Sequence, residues 1–411
     1  MNILVITTIY PEPDDGVLAP TTPVVHNFAK EWVKMGHKVM AIHNSNKFPL
    51  PFYFIPKKIL AYLSGKVGFN IKLIRSQRKD GFHMHDGVKV YRSNILKYIP
   101  FGAYSNLQIE IQLNKVRKIL KNEKFIPDVI IAHAENPQIY QLYELKKDYP
   151  MAQTAVVLHG IHYLDREKFR KWREVYFPSI DKIGFRSKPL QEEAREKIKY
   201  NGSSFICPSG IADSFVKNTP NLDTKFSDGN KLKFIFVGQL TPRKHADKVI
   251  LALNKAFPSK NFELKIVGNG GELSRFQELV KNLNLEEQVE FCGQVAHDKV
   301  MSLMRESDCF IMTSEQEVFG LVYFEAMSQG CLAIASKNEG MDGIIENGVN
   351  GFLCPSGDAD ALADVVNQIA NMNPSDIRRI ILSGYNLARN YSESSVAKKY
   401  LENILEKGEA E

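Results

Sequence analysis

The chain has 411 residues, of which 44% are hydrophobic, 24% charged and 10% aromatic. At roughly 150 residues per domain this length predicts two or three domains, and the composition excludes a disordered, fibrous or single-module protein. The net charge of +6 conceals an asymmetry: residues 1–217 carry 33 Lys and Arg against 20 Asp and Glu, and the remainder carries 20 against 27. The two halves therefore face different partners. The five cysteines, at positions 207, 292, 309, 331 and 354, contain no C-x-x-C pair. Neither a disulfide framework nor a zinc knuckle is expected, and a reducing compartment fits best. The amino-terminal run MNILVITTIYP has no basic residue ahead of its apolar stretch and no small-residue cleavage site, so it reads as a strand rather than a signal peptide. No run of 18 apolar residues predicts a transmembrane helix.

In chain order, Asn2–Thr8 reads as a strand. Pro23–Gly36 reads as a helix, with Val24, Phe28 and Trp32 at helical spacing and Gly36 as its carboxyl-terminal stop, and Lys38–His43 as a second strand. From His43 to Lys79 there are eight Lys and Arg and no acid, interleaved with Phe48, Phe52, Tyr53, Phe54 and other apolar residues. That mixture suits either an anionic membrane surface or a solvated insertion covering a hydrophobic edge; nucleic acid is not expected, because no binding motif accompanies the charge. The β-α alternation continues with Lys89–Tyr91, the helix Asn106–Glu123, Asp128–His133, the helix Gln138–Lys147 and Thr154–His159. After Lys199 the periodicity weakens, and the polar stretch Asn218 to Lys231 reads as an interdomain connection. A second β-α series follows, with strands Lys233–Val237, Glu263–Val267, Val289–Cys292, Cys309–Met312 and Leu332–Ala335. Two doubly wound α/β domains in series place a ligand cleft at the carboxyl ends of their strands.

The densest chemistry lies in Thr313 to Gly330, TSEQEVFGLVYFEAMSQG. An acidic loop leaves the strand, and Phe319–Ser328 reads as a helix closed by Gly330. Gly320 at the helix start lets backbone approach a ligand, and the free N–H groups of the first turn suit an anion such as a diphosphate. Glu317 and Glu325 stand eight positions apart, one on each side of those amides. A nucleotide sugar has hydroxyl groups at both ends and a diphosphate between them. Two glutamates at this spacing are also common on solvated helix faces.

With its surroundings, the segment resembles family 4 retaining glycosyltransferases of the GT-B fold. Their Glu, seven residues, Glu motif stands here as Glu317-Val318-Phe319-Gly320-Leu321 and Glu325-Ala326-Met327. The likeness extends to Val237-Gly238 with Lys244, the GNGGEL turn at Gly268–Leu273, Phe291-Cys292-Gly293, Ser307-Asp308, the segment from Asn347 to Phe352, and Pro208–Asp213 as a hinge. It covers residues 205–400 well and the amino-terminal half loosely. The resemblance implies two Rossmann-like domains facing each other across a cleft. Residues 1–205 would form the acceptor domain, with a basic insertion at about 43–82, residues 206–385 the donor domain, and 386–411 a helix packing back toward the first.

The same resemblance assigns roles. Glu325 would hold the ribose hydroxyls of the donor, and Glu317, with the backbone of Phe319, Gly320 and Leu321, the donor sugar and phosphates. Lys244 would stabilise charge on the departing diphosphate. Gly268 and Asn269 would border the base, and Gly238 belongs to the same nucleotide-binding face. His159, in VVLHGIHY, corresponds to a histidine near the transferred sugar, although a histidine after a strand is also a frequent packing residue. The chain departs from the family in three places. Gln239 stands where an arginine is usual, with Arg243 nearby as a substitute cation; Gly16 alone represents the amino-terminal glycine-pair loop; and Gly343 stands where an acid is common.

The resemblance implies transfer of a hexose from a UDP- or GDP-sugar to a glycan or lipid-linked acceptor, with retention, without a metal or other cofactor, in cell-envelope polysaccharide synthesis. Departure of the nucleotide and attack of the acceptor would share one face, with the leaving phosphate as base. The D-x-D triplet Asp358-Ala359-Asp360 reads as a helix cap rather than a metal site. A nucleotide-sugar epimerase or hydrolase of the same fold, and a non-catalytic glycosyltransferase-like subunit, are the competing readings. The expected location is the cytoplasm, or the inner face of the membrane as a peripheral protein.

Overall fold

A computed structural model describes residues 1–11, 23–56, 59, 80–98, 102–223, 225–226, 231–317 and 319–406. They divide into two compact units. One ends at Gly210 and includes the C-terminal helix from Glu393; the other runs from Ile211 to Ser392.

The first unit contains β1 (Asn2–Thr7), α1 (Val24–Lys34), β2 (Lys38–Lys47), β3 (Gly81–His85), β4 (Val88–Leu96), α2 (Asn106–Asn122), β5 (Val129–His133), α3 (Gln138–Asp148), β6 (Gln153–Leu158), β7 (Lys182–Phe185), α4 (Lys188–Lys197) and β8 (Ser204–Ile206). The strand order is β3-β4-β2-β1-β5-β6-β7-β8. Every pairing is parallel except that of the edge strand β3 with β4. The central strands are continuous apolar runs because helices cover both faces of the sheet. In α1 the stripe of Val24, Phe28 and Trp32 is buried. Gly36, at φ 86°, ends the helix by donating its N–H to the Val33 carbonyl at 2.9 Å. Ser105 and Gln108 close a reciprocal capping box at the start of α2.

The C-terminal helix Glu393–Leu405 packs on α1. The Trp32 indole N–H donates to the Ala397 carbonyl at 2.9 Å, and the Phe28 and Tyr400 rings meet edge to face at 5.1 Å. Lys30 and Glu393 form an ion pair at 3.0 Å.

The second unit contains β9 (Leu232–Val237), α5 (Ala246–Ala256), β10 (Phe262–Val267), α6 (Leu273–Asn282), β11 (Val289–Gly293), α7 (His297–Glu306), β12 (Cys309–Ile311), α8 (Leu321–Ser328), β13 (Leu332–Ser336), β14 (Phe352–Cys354), α9 (Ala359–Ala370) and α10 (Pro374–Asn390). Its sheet is parallel throughout, in the order β11-β10-β9-β12-β13-β14. From β9 the chain winds outward to β11 and then returns to β12 on the other side. The order therefore reverses between β9 and β12, where the loops leaving neighbouring strands diverge and open a crevice.

Several elements differ from the sequence reading. β2 continues through His43, Asn44 and Ser45, all buried, so the basic stretch starts inside the sheet; most of its remainder, including 60–79, lies outside the described residues. The polar stretch at 218–231 does not separate the units. Lys225 is buried and donates from Nζ to the carbonyls of Met304 and Ser307, and the Phe226 N–H donates to Asp308 at 2.9 Å. Lys225 is thus held by buried partners, while Asn218, Thr219, Asn221, Asp223 and Lys231 are exposed. The structure adds the strands β3, β7, β8 and β14, which the sequence pattern does not predict. Among the described residues no helix is long and apolar enough to cross a membrane.

The buried indole of Trp32 links α1 to the C-terminal helix, so Trp32→Ala is expected to destabilise the first unit by about 3–5 kcal/mol. Urea denaturation followed by circular dichroism measures this, and a loss below about 1 kcal/mol would show that the helix is held elsewhere.

Candidate functional site

The reversal between β9 and β12 gathers the predicted donor-side residues. Gly238 to Lys244 follow β9, Gly268 to Glu272 follow β10, and Thr313 to Gly320 follow β12. The first two loops lock together by backbone bonds: the Gly238 N–H donates to Val267 at 3.0 Å and the Leu240 N–H to Asn269 at 3.0 Å. Gly268 has φ 138°, and a Cβ there would lie 1.9 Å from the Gly238 carbonyl oxygen. No side chain fits where these loops cross.

Across the crevice, Lys244 is bonded to Glu317 through Nζ and Oε2. Lys244 is buried, and burial lowers its pKa while Glu317 opposes the shift. The Met312 sulfur lies 3.5 Å from Nζ. Two further bonds join the same loops: the Glu315 N–H donates to the Arg243 carbonyl at 2.8 Å, and an Arg243 guanidinium N–H to the Glu315 carbonyl at 3.4 Å. Arg243 thus braces the acidic loop. Gln239 is exposed, as is Asn269, whose Oδ1 accepts the Gly270 N–H at 2.8 Å.

Glu339 was not anticipated from the sequence. Its carboxylate accepts the N–H groups of Gln316 and Glu317 at 2.9 and 2.6 Å, fixing the backbone from which Glu317 projects. Burial raises its pKa, and those two amides oppose the rise. Nothing in the local pattern NEGMDG marks it, because the contact spans 22 positions.

The helix α8 begins at Leu321, two residues later than its apolar pattern predicts, because Gly320 occupies the left-handed region at φ 78° and acts as the cap. Tyr323 packs beneath that turn, where a Cβ on Gly320 would lie 2.6 Å from its ring, and donates its hydroxyl to the Met312 carbonyl at 2.5 Å. The Phe319 ring is buried against Phe324 at 5.3 Å, so Phe319 offers a ligand only its backbone. The first amides of α8 have no partner within the helix and lie between Glu317 and Glu325 in sequence.

Glu325 faces a second unanticipated residue. Its Oε1 lies 3.1 Å from Nε2 of His297 at the start of α7, and this bond raises the histidine pKa. The two glutamates of the motif therefore have different basic partners. Asp358 caps α9, accepting the N–H groups of Asp360 and Ala361 at 3.0 Å each, and Asp360 pairs with Lys255 at 2.7 Å, so both acids of the D-x-D triplet are engaged locally.

In the first unit, His159 follows β6. Its Nε2 lies 3.2 Å from Nδ1 of the buried His133, and burial holds its pKa well below the usual range. Gly16 lies outside the described residues.

Residues 220–385 match the family described as glycosyl transferases group 1. That matched segment lies within the second unit. The N-acetyl-alpha-D-glucosaminyl L-malate synthase of Bacillus anthracis is 34% identical over 143 residues, 35% of this chain and 37% of that protein. The UDP-N-acetylglucosamine--peptide N-acetylglucosaminyltransferase GtfA subunit of Streptococcus pneumoniae is 28% identical over 235 residues, 53% of this chain and 44% of that one. The aligned region thus spans less than half of either relative. Sucrose-phosphate synthase from Thermosynechococcus elongatus superposes with a TM-score of 0.70 at 18% identity, covering 98% of each chain. The fold is GT-B, with two Rossmann-like units.

The His297 pKa lies above its ordinary value because Glu325 stabilises the imidazolium. That contribution to stability is present below the unfolded histidine pKa and is lost as pH rises through the higher folded value. In an NMR titration, Glu325→Gln is expected to move the His297 midpoint downward; an unchanged midpoint would remove the pairing.

Proposed function

We propose that the chain is a retaining, metal-independent hexosyltransferase that uses a nucleotide-diphosphate sugar, with UDP- or GDP-sugars as the donor class. The observation that carries this reading is the contact of buried Lys244 with Glu317, made across the strand-order reversal beside the α8 amino terminus. A lysine there supplies a fixed cation for the departing diphosphate, and the α8 amides supply preorganised donors to its oxygens. Glu317 binds hydroxyls of the donor sugar and Glu325 those of the ribose. His159 contacts the transferred sugar. As the sugar–phosphate bond breaks, the β-phosphate oxygen takes the acceptor hydroxyl proton while the acceptor oxygen bonds the anomeric carbon on the same face. No metal enters this scheme; the engagement of both acids of the D-x-D triplet in cap and ion pair supports that choice. The name of the Streptococcus pneumoniae relative makes UDP-N-acetylglucosamine the first donor to test.

The acceptor is a glycan or a lipid-linked glycan of the cell envelope, met by a peripheral protein at the inner face of the membrane. The support is the acid-free basic and aromatic run from His43 to Lys79. Flotation with liposomes containing anionic lipid should fall on deletion of 60–79, and equal flotation would remove the membrane from the proposal.

For the chemistry, Glu317→Gln and Lys244→Met are each expected to lower kcat by about 10²–10³-fold. Glu325→Gln should instead weaken donor binding about tenfold, as one charged hydrogen-bonding group is lost. Donor consumption and nucleotide release, each with and without acceptor, are the assays. Turnover at equal rate without acceptor would favour the hydrolase or epimerase, and unchanged rates in the Glu317 and Lys244 variants would end the reading.

A further inference from the structure

The first unit contains a three-residue link that the proposed chemistry does not use. His133, the last residue of β5, is fully buried, with Phe28 of α1 stacked at 5.9 Å and Tyr400 of the C-terminal helix edge-on at 5.9 Å. Its Nδ1 lies 3.2 Å from Nε2 of His159 and its Nε2 lies 3.4 Å from the Tyr400 hydroxyl. Burial pushes the His133 pKa down to about 3 and holds His159 well below the usual range, with Arg186 acting in the same direction on both. Both rings are neutral at physiological pH, so each carries one N–H and one bare nitrogen.

Only two proton arrangements satisfy such a chain. In the first, the Tyr400 O–H donates to His133 Nε2 and the His133 Nδ1–H donates to His159 Nε2. In the second, every bond reverses. Tyr400 is buried, and its hydroxyl has no other hydrogen-bond partner among the described residues. The reversed arrangement would leave the hydroxyl hydrogen buried without an acceptor, which folding disfavours.

We propose that Tyr400 and His133 are positioning residues that hold His159 as the Nδ1–H tautomer, so that His159 meets its ligand as a hydrogen-bond donor and not as a base. His159 Nδ1 has no partner among the described residues, which leaves its N–H for a substrate hydroxyl or ring oxygen. The C-terminal helix thereby sets the chemistry of a residue 241 positions earlier. The assignment of a substrate contact to His159 rests on the glycosyltransfer proposed above; the tautomer does not.

Long-range 1H–15N correlation of the full chain, labelled at histidine and without substrate, reads the tautomer, and His159→Gln identifies the His159 resonances by removing them. The expected result is a proton on Nδ1 and a bare Nε2. A proton on Nε2, or averaged shifts for the two nitrogens, would overturn the proposal. Tyr400→Phe and His133→Phe, checked for folding by thermal unfolding, should each move His159 toward averaged shifts; unchanged shifts in both would show that the link does not set the tautomer. In sugar transfer, the His159→Asn amide can place an N–H where Nδ1 lies and should retain about tenfold more activity than His159→Gln, the difference one hydrogen bond supports. Equal loss in both, with the tautomer as expected, would overturn the donor role and leave the link intact. Full activity in both would instead remove His159 from the glycosyltransfer reading.

Discussion

The reversal of strand order between β9 and β12 is the constraint on which the second unit depends. Parallel strands bring every β-to-α loop to the same edge of the sheet, and the reversal sends neighbouring loops apart. A buried lysine is costly in that position unless it is paired. Glu317 provides the pairing, and Glu339 holds the backbone of Glu317 in place. Gly268 is required on one side of the crevice by the close approach of Gly238, and Gly320 on the other by its left-handed backbone. The same few contacts that close the loops over the sheet also create a fixed cation, a fixed carboxylate and a helix amino terminus at one place.

The first unit solves a related problem with neutral groups. At the carboxyl ends of β5 and β6 stand two histidines whose pKa values burial lowers, and they meet one another and a tyrosine hydroxyl through Nδ1 and Nε2. The C-terminal helix is part of that arrangement as well as of the apolar packing on Phe28 and Trp32. A segment that closes the core also orients a polar ring. Substitutions in this helix therefore act on two levels, stability and proton placement, which unfolding and spectroscopy separate.

Much of this was legible in the amino-acid sequence. Strands β1, β5, β12 and β13 are buried along almost their whole length and appear as apolar runs, and the amphipathic helix α1 shows its Val24, Phe28 and Trp32 stripe. The motif from Glu317 to Glu325 was legible because one strand, one turn and one helix hold all of it. Local pattern alone was not sufficient for β3, β7, β8 and β14, nor for the chain division at Gly210, because Lys225 looks like one more solvated residue until its buried carbonyl partners are known. The sequence by itself determined the class of fold and the position of the Glu317 to Glu325 motif, since these depend on periodicity and on residues close together along the chain. Only the tertiary structure decided that Lys244 meets Glu317, that Glu339 supports it, that His297 faces Glu325, and that Tyr400 reaches His133. Each of these contacts joins residues from 22 to 267 positions apart. Their geometry is set by how strands and helices pack, and the residue pattern near any one partner carries no trace of the other.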